Sequence, residues 1–376
     1  MNLKEYIELV FNDYTLRTIT LGTAVLGAIC GMLGSFAVLR KQSLLGDAIS
    51  HAALPGIAIA FLIMETKNSN AFLIGALISG LVGTFWIRGI IKNTHLKSDT
   101  ALGLILSLFF GFGMLLLTFI QKQSNSDQAG LDHYLFGQAA TLLEKDVWVM
   151  TIVTGISLCI VLLFWKELKI SVFDSDYTKT LGFNVRFLDF LITTFIVIAI
   201  VLGLQTVGVV LMSAMLLAPA AAARQWTNKL SVMVLLAALF GSASGVVGTA
   251  ISANQNNLST GPVIVLVAAF LVLISFIFSP ERGLLFREIR FRKSRRDLEL
   301  HKTLSFMYHI AKNHENISHP HAIKILNNFQ GFTKGTLQKL EHKEYVHIDG
   351  SMWSLTPKGF QTAENLYDQL IMSKDE

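Results

Sequence analysis

The chain has 376 residues, of which 52% are hydrophobic and 15% charged, and its mean hydropathy is +0.53. That is too apolar for a water-soluble domain of this size, and the composition equally excludes disordered and fibrous classes. The charge is unevenly spread: residues 1–286 hold 17 Lys/Arg and 15 Asp/Glu, and the last 90 residues hold 14 and 11. The net charge of +5 therefore averages a nearly neutral apolar body and a polar tail. The two cysteines, Cys30 and Cys159, lie far apart inside apolar runs and offer neither a disulfide framework nor a thiolate metal cluster.

A helix that crosses a bilayer needs roughly 20 mostly apolar residues. Runs of that kind predict nine spans, at about 18–39, 44–64, 70–87, 100–120, 147–164, 187–204, 206–223, 230–252 and 262–279. Between 187 and 223 the stretch Gly203 to Thr206 leaves almost no connection, so eight spans with one re-entrant segment is the alternative. Residues 1–17 are mixed in charge and precede the first long span, which predicts no cleavable signal peptide. With the tail on the cytoplasmic side, the inner loops hold eleven basic residues and the outer segments five, the sense of the positive-inside rule.

Ionisable groups in hydrocarbon cost at least a few kcal/mol, so their placement is informative. The nine spans contain Asp47, His51 and Asp189. Asp189 lies near a span edge, three residues after Arg186, and reads as an interfacial carboxylate paired with that arginine on one helix face. Asp47 and His51 fall in SLLGDAISHAALPGIAIAF, residues 43–61, where i, i+4 spacing stacks both on one helix face. A carboxylate and an imidazole so placed can share one divalent cation. The competing reading makes Asp47 an interfacial residue after Arg40 and Lys41, and His51 a hydrogen-bonded packing residue. Pro55 has no N–H for the His51 carbonyl, and the small residues around it would let other helices approach closely.

Residues 165–186, WKELKISVFDSDYTKTLGFNVR, form a polar insert between apolar spans. Its middle, Ser175 to Leu181, predicts one or two helical turns ended by Gly182, either as a docking helix or as a plain connection. In LMSAMLLAPAAAARQWT, residues 211–227, Pro219 is expected to break the span, and Met212 and Met215 read as packing residues.

At these residues the chain resembles the integral-membrane permeases of the zinc/manganese/iron class of ABC importers, relatives of the vitamin B12 and siderophore permease fold. The resemblance covers about residues 10–286 through GDAISHAALPG, FDSDYTKTLGFNVRFLD, VGVVLMSAMLLAPAAAARQWT and STGPVIVLVAAFLVLISFIFSPERG. It implies an all-α polytopic membrane protein of the vitamin B12-permease-like fold in a bacterial plasma membrane, with its C-terminus cytoplasmic. It also implies a homodimer or a pair with a related permease, cytoplasmic ABC ATPase subunits and an extracytoplasmic metal-binding protein. Asp47 and His51 become transient ligands of the transported Mn²⁺, Zn²⁺ or Fe²⁺, with no permanently bound cofactor. Ser175, Asp176, Tyr177, Thr178, Lys179, Thr180, Leu181 and Gly182 become the helix that couples to the ATPase. The chain is then no enzyme, and the absence of any GxxxxGK[ST] loop agrees that ATP chemistry resides elsewhere.

Most permeases of the family it resembles end near the last span, so the tail is a departure. Residues 287–297, REIRFRKSRRD, hold six basic residues and read as a juxtamembrane linker that meets anionic lipid. Residues 298–376 predict helices at Leu298 to Asn313, His319 to Asn328 and Lys334 to His342, the last preceded by the cap candidate Thr333. A hairpin about Asp349 and Gly350 follows, then a helix capped by Thr356 with Pro357 at its first position. This order resembles a small α+β winged helix-turn-helix domain of the kind found in iron- and manganese-dependent repressors. Lys334, Thr336, Gln338 and Lys339 are then the residues placed to touch DNA, diluted by Glu341 and Glu344. The seven tail histidines read as scattered surface groups, with His319 and His321 as an alternative metal-sensing pair.

The leading function is thus a metal-transport permease whose tail makes protein contacts, with DNA as the tail's second partner. The alternatives are a membrane-anchored, metal-responsive transcription regulator and a transporter or channel that works without an ATPase.

Overall fold

The structure is a computed structural model that describes residues 12–65, 69–122, 137, 139, 142–254, 258–312, 319–328 and 334–372. The chain divides into two compact units that meet in sequence at Leu284 and Leu285.

The first unit is helical. Among the described residues, nine helices are long and apolar enough to cross a membrane, with mean hydropathies of 1.3 to 2.8. They are α1 (Tyr14–Leu39), α2 (Leu45–Met64), α3 (Ser69–Asn93), α4 (Ser98–Gln121), α5 (Glu144–Leu163), α8 (Val185–Leu204), α9 (Val209–Trp226), α10 (Leu230–Ala253) and α11 (Thr260–Phe278). Two short helices, α6 (Trp165–Phe173) and α7 (Ser175–Thr180), fill the insert between α5 and α8. The doubtful stretch 187–223 holds two separate helices, joined by a turn that Gly208 closes at φ +90°, a conformation open to glycine at little cost. Pro219 does not break its span: α9 runs through it to Trp226. Proline is tolerated inside membrane helices because neighbouring helices re-satisfy the backbone it frees.

Small residues set the packing. A Cβ on Gly27 would collide with the Gly241 backbone, one on Gly31 with Ala237 and one on Gly245 with Thr23, so α1 and α10 touch backbone to backbone. Thr23 and Thr249 hydroxyls meet across that seam at 3.1 Å, and Ser242 donates to the Ala24 carbonyl at 2.9 Å. Close approach by small residues with hydroxyl bonds across the seam is how helices associate where lipid is as apolar as they are. α1 is the most buried of the nine and α5 the least, which places α5, with Cys159, at the periphery.

The second unit begins with α12 (Leu284–Ala311), one helix that runs through the basic residues 287–297 without interruption. Where the sequence predicts a helix over His319 to Asn328, a short strand β1 (His321–Ala322) is followed by a 3₁₀ turn, Ile323–Asn328. Pro320 disfavours the helical region for His319, and β1 finds its backbone partners instead in β3, with His321 opposite Trp353. Then come α13 (Lys334–His342), β2 (Val346–Asp349), β3 (Met352–Leu355) and α14 (Pro357–Met372). The strands form one antiparallel sheet in the order β1-β3-β2. Gly350 turns the hairpin at φ +59°, and the Thr356 hydroxyl accepts from the Gly359 N–H at 3.0 Å to cap α14. Trp353, Tyr308, Leu304, Leu326 and Leu340 form a core of the unit's own, with the Tyr308 and Phe360 rings 4.8 Å apart. Thr333 lies outside the described residues.

Candidate functional site

α2 starts after a tight turn in which Lys41 adopts φ +58° and the Gln42 N–H bonds the Ala37 carbonyl at 3.0 Å. Asp47 sits in the first turn of α2, where a carboxylate offsets the positive end of the helix dipole. One turn on, His51 Nε2 lies 3.6 Å from Asp47 Oδ1. That is too long for a hydrogen bond. It is close to the roughly 3.4 Å between two ligand atoms that each sit about 2.1 Å from one tetrahedral ion. The imidazole is held edge-on by Phe110, ring centroids 4.8 Å apart, and its Nδ1 is buried without a hydrogen-bond partner among the described residues. The His51 side chain is 14% exposed and that of Asp47 35%, so the pair is mostly covered, with the carboxylate the more accessible of the two. Among the described residues no third His, Cys, Asp or Glu joins them.

The rest of α2 is a packing surface. A Cβ on Gly56 would strike the Gly75 carbonyl of α3, one on Gly75 would strike Gly56, and one on Gly113 of α4 would crowd Leu54 and Pro55. Gly46 lies against Ser213 and Leu216 of α9. Pro55 lies inside the helix, and the Ser79 hydroxyl donates to the Ala52 carbonyl at 2.6 Å, anchoring the weakened turn from the neighbouring helix. Met212 and Met215 of α9 are fully buried, as packing residues are.

α7 forms where the sequence predicts it. Asp174 Oδ1 accepts from the N–H groups of Asp176 and Tyr177 at 3.1 and 2.9 Å, and Gly182 ends the segment at φ +84°. Lys179 Nζ lies 2.8 Å from Asp176 Oδ1, and that hydrogen bond, with the ammonium's charge, holds the Asp176 carboxyl below its ordinary range. Thr178 is buried, whereas Tyr177, Leu181 and the preceding Phe173 are exposed, so an apolar edge rises from a charged loop.

Asp189 does not pair with Arg186. Its partner is Arg40 at the end of α1, Nη2 to Oδ1 2.9 Å, an interhelical contact that no local spacing rule reveals. In the second unit Gln338 and Lys339 are exposed but Thr336 is buried, and the side chain of Lys334 lies outside the described residues. His321 is buried and stacks on Trp353 at 4.8 Å, with His319 edge-on to it at 5.3 Å.

Residues 12–279, the whole membrane body, match the model of the ABC 3 transport family. The chain belongs to this family. It is 51% identical over 284 residues to the zinc transport system membrane protein TroC of Treponema pallidum, covering 76% of this chain and 95% of that one. It is 40% identical over 363 residues to the manganese transport system membrane protein MntC of Bacillus subtilis, covering 94% of this chain and 83% of the relative. The second match extends well past the body into the tail. The solved structure of PsaBC from Streptococcus pneumoniae in complex with Fab superimposes with a TM-score of 0.67 at 34% identity, covering 77% of this chain and 100% of that chain. This family member is a multi-pass membrane permease and not an enzyme.

Proposed function

We propose that the chain is the membrane-spanning subunit of a bacterial ATP-binding-cassette importer for a divalent transition metal, Mn²⁺, Zn²⁺ or Fe²⁺. The observation that carries the reading is the Asp47–His51 pair, 3.6 Å apart on one face of α2. One hard oxygen and one imidazole nitrogen, with no thiolate, suit these ions and not Cu⁺. Two side chains from each of two copies would hold an ion loosely enough to release it, which a transport site needs. Relatives described as zinc and manganese transport proteins, at 51% and 40% identity, support the cargo class. The pair supplies only two ligand side chains, which supports a homodimer that brings a second pair, and exposed Tyr177 on α7 with Leu181 just after it supports docking of a separate ATPase subunit. An extracytoplasmic protein delivers the metal, and the excess of Lys and Arg in the loops on the tail's side supports a cytoplasmic C-terminus. Cells that carry Asp47→Ala or His51→Ala are expected to lose metal accumulation at least tenfold with the protein still in the membrane. Unchanged uptake would overturn the assignment.

For the tail the reading is a winged-helix module that acts through protein contacts. Its support is the succession of α12, β1, the 3₁₀ turn, α13 and the β2-β3 hairpin, with strands ordered β1-β3-β2. Exposed Gln338 and Lys339 are what a DNA-binding role would use, whereas buried Thr336 does not serve it. Because the family match covers the membrane body itself, transport is favoured over a membrane-anchored regulator. If these contacts stabilise or regulate the permease, a chain ended after residue 297 is expected to import metal with a changed stability or uptake rate. Stability and uptake both equal to those of the full chain would remove this role of the tail.

A further inference from the structure

The ionisable groups that transport does not use gather in one place. A pocket of about 230 Å³ opens where α1 ends, α3 ends and α4 and α8 begin, and Arg40, Arg88, Lys92, Ser98, Asp189 and Thr193 line its polar side. Arg40 is spent on Asp189 at 2.9 Å, with its side chain only 11% exposed. Arg88 Nη2 donates to the Thr193 hydroxyl at 2.9 Å, and that hydroxyl donates to the Asp189 carbonyl at 2.6 Å. Three cations thus face one carboxylate, and the Ser98 hydroxyl is buried with no partner among the described residues. With Arg40 paired to Asp189, half-buried Arg88 and exposed Lys92 remain without a carboxylate in this pocket, and an anion that entered would complement them. A guanidinium suits a phosphate, which it grips through two oxygens.

A second groove decides which phosphate. It has a volume of about 640 Å³, shares Thr84, Arg88 and Lys92 with the polar pocket, and continues along Leu81, Phe85 and Phe190. Phe85 is 74% and Phe190 55% exposed, and the Arg88 guanidinium lies 5.7 Å from the Phe190 ring centre. A polar pocket that leads through shared arginine and lysine into an apolar groove has the amphipathic shape of a phospholipid. We propose that it binds one anionic phospholipid, with the phosphodiester against Arg88 and Lys92 and an acyl chain beside Phe85 and Phe190.

Native mass spectrometry of the full chain in detergent tests this with three probes: phosphatidylglycerol, the zwitterionic phosphatidylethanolamine, and inorganic phosphate. The wild-type chain should retain phosphatidylglycerol over phosphatidylethanolamine. Arg88→Gln, which keeps a donor for Thr193, and the exposed Lys92→Gln should each weaken that retention about fivefold, while the pair Arg292→Gln/Lys293→Gln on α12 leaves this component unchanged. Phe85→Ala should weaken the lipid but not inorganic phosphate. Equal retention of the two lipids, insensitive to Arg88→Gln and Lys92→Gln, would overturn the site. Phosphate binding that falls in Arg88→Gln without any preference for phosphatidylglycerol would overturn the lipid and assign the pocket to free phosphate.

Discussion

Two groups of ionisable side chains lie within the membrane body, and they are built in opposite ways. Asp47 and His51 share one helix, keep part of their surface exposed and leave 3.6 Å between Oδ1 and Nε2, with His51 Nδ1 unbonded among the described residues. Arg40 and Asp189 join two further helices through an ion pair of 2.9 Å, in which Arg40 Nη2 makes no aligned hydrogen bond among the described residues, and Arg88 of a third helix donates to the Thr193 hydroxyl at 2.9 Å. Mutual bonding is what a structural network needs. A pair left incomplete and partly exposed is what a passing ion needs.

The comparison can be broken most sharply at Asp189. Asp189→Ala strands the buried Arg40, and because the Asp189 side chain is 43% exposed thermal unfolding in detergent should show a loss of about 2–3 kcal/mol. Replacing both partners, Arg40→Met with Asp189→Leu, should recover most of it, because the charge left alone is the costly state. Next in size is Gly56→Ala, which forces a methyl into the Gly75 backbone and should cost about 1–3 kcal/mol by the same measurement. His51→Ala should cost only about 1 kcal/mol in unfolding while metal accumulation falls at least tenfold, since among the described residues the imidazole has one ring contact and no hydrogen bond. Arg186→Gln should be smallest, within about 0.5 kcal/mol, because Arg186 has no ion pair among those the structure records. A stability loss at His51 as large as that at Asp189 would erase the distinction between the two groups.

The spans were legible because twenty apolar residues in a row have few other fates, and Asp47 with His51 because helical spacing is a local property. The Asp174 cap and Gly182 stop were local too, and α7 lies between them. What escaped was tertiary. Arg40 and Asp189 are far apart in sequence, and the nearby Arg186 offered a false partner. α6 was hidden because it follows α5 after the single residue Phe164 and mixes Lys166, Glu167 and Lys169 with apolar positions. The sequence near His319 satisfied helical periodicity, yet the strand partner that claims His321 and Ala322 lies thirty residues further on, in β3.

The contact between Gly56 and Gly75 has a mechanical consequence. Where two helices touch through side chains, rotamers can rearrange and one helix can slip past the other. Here the backbones of α2 and α3 meet with nothing between them, and Ser79 pins the turn beside Pro55. These helices must therefore travel as one lever. Any swing that turns Asp47 and His51 from one side of the membrane to the other carries α3 with it, so spin labels on the two helices should keep their separation throughout the transport cycle.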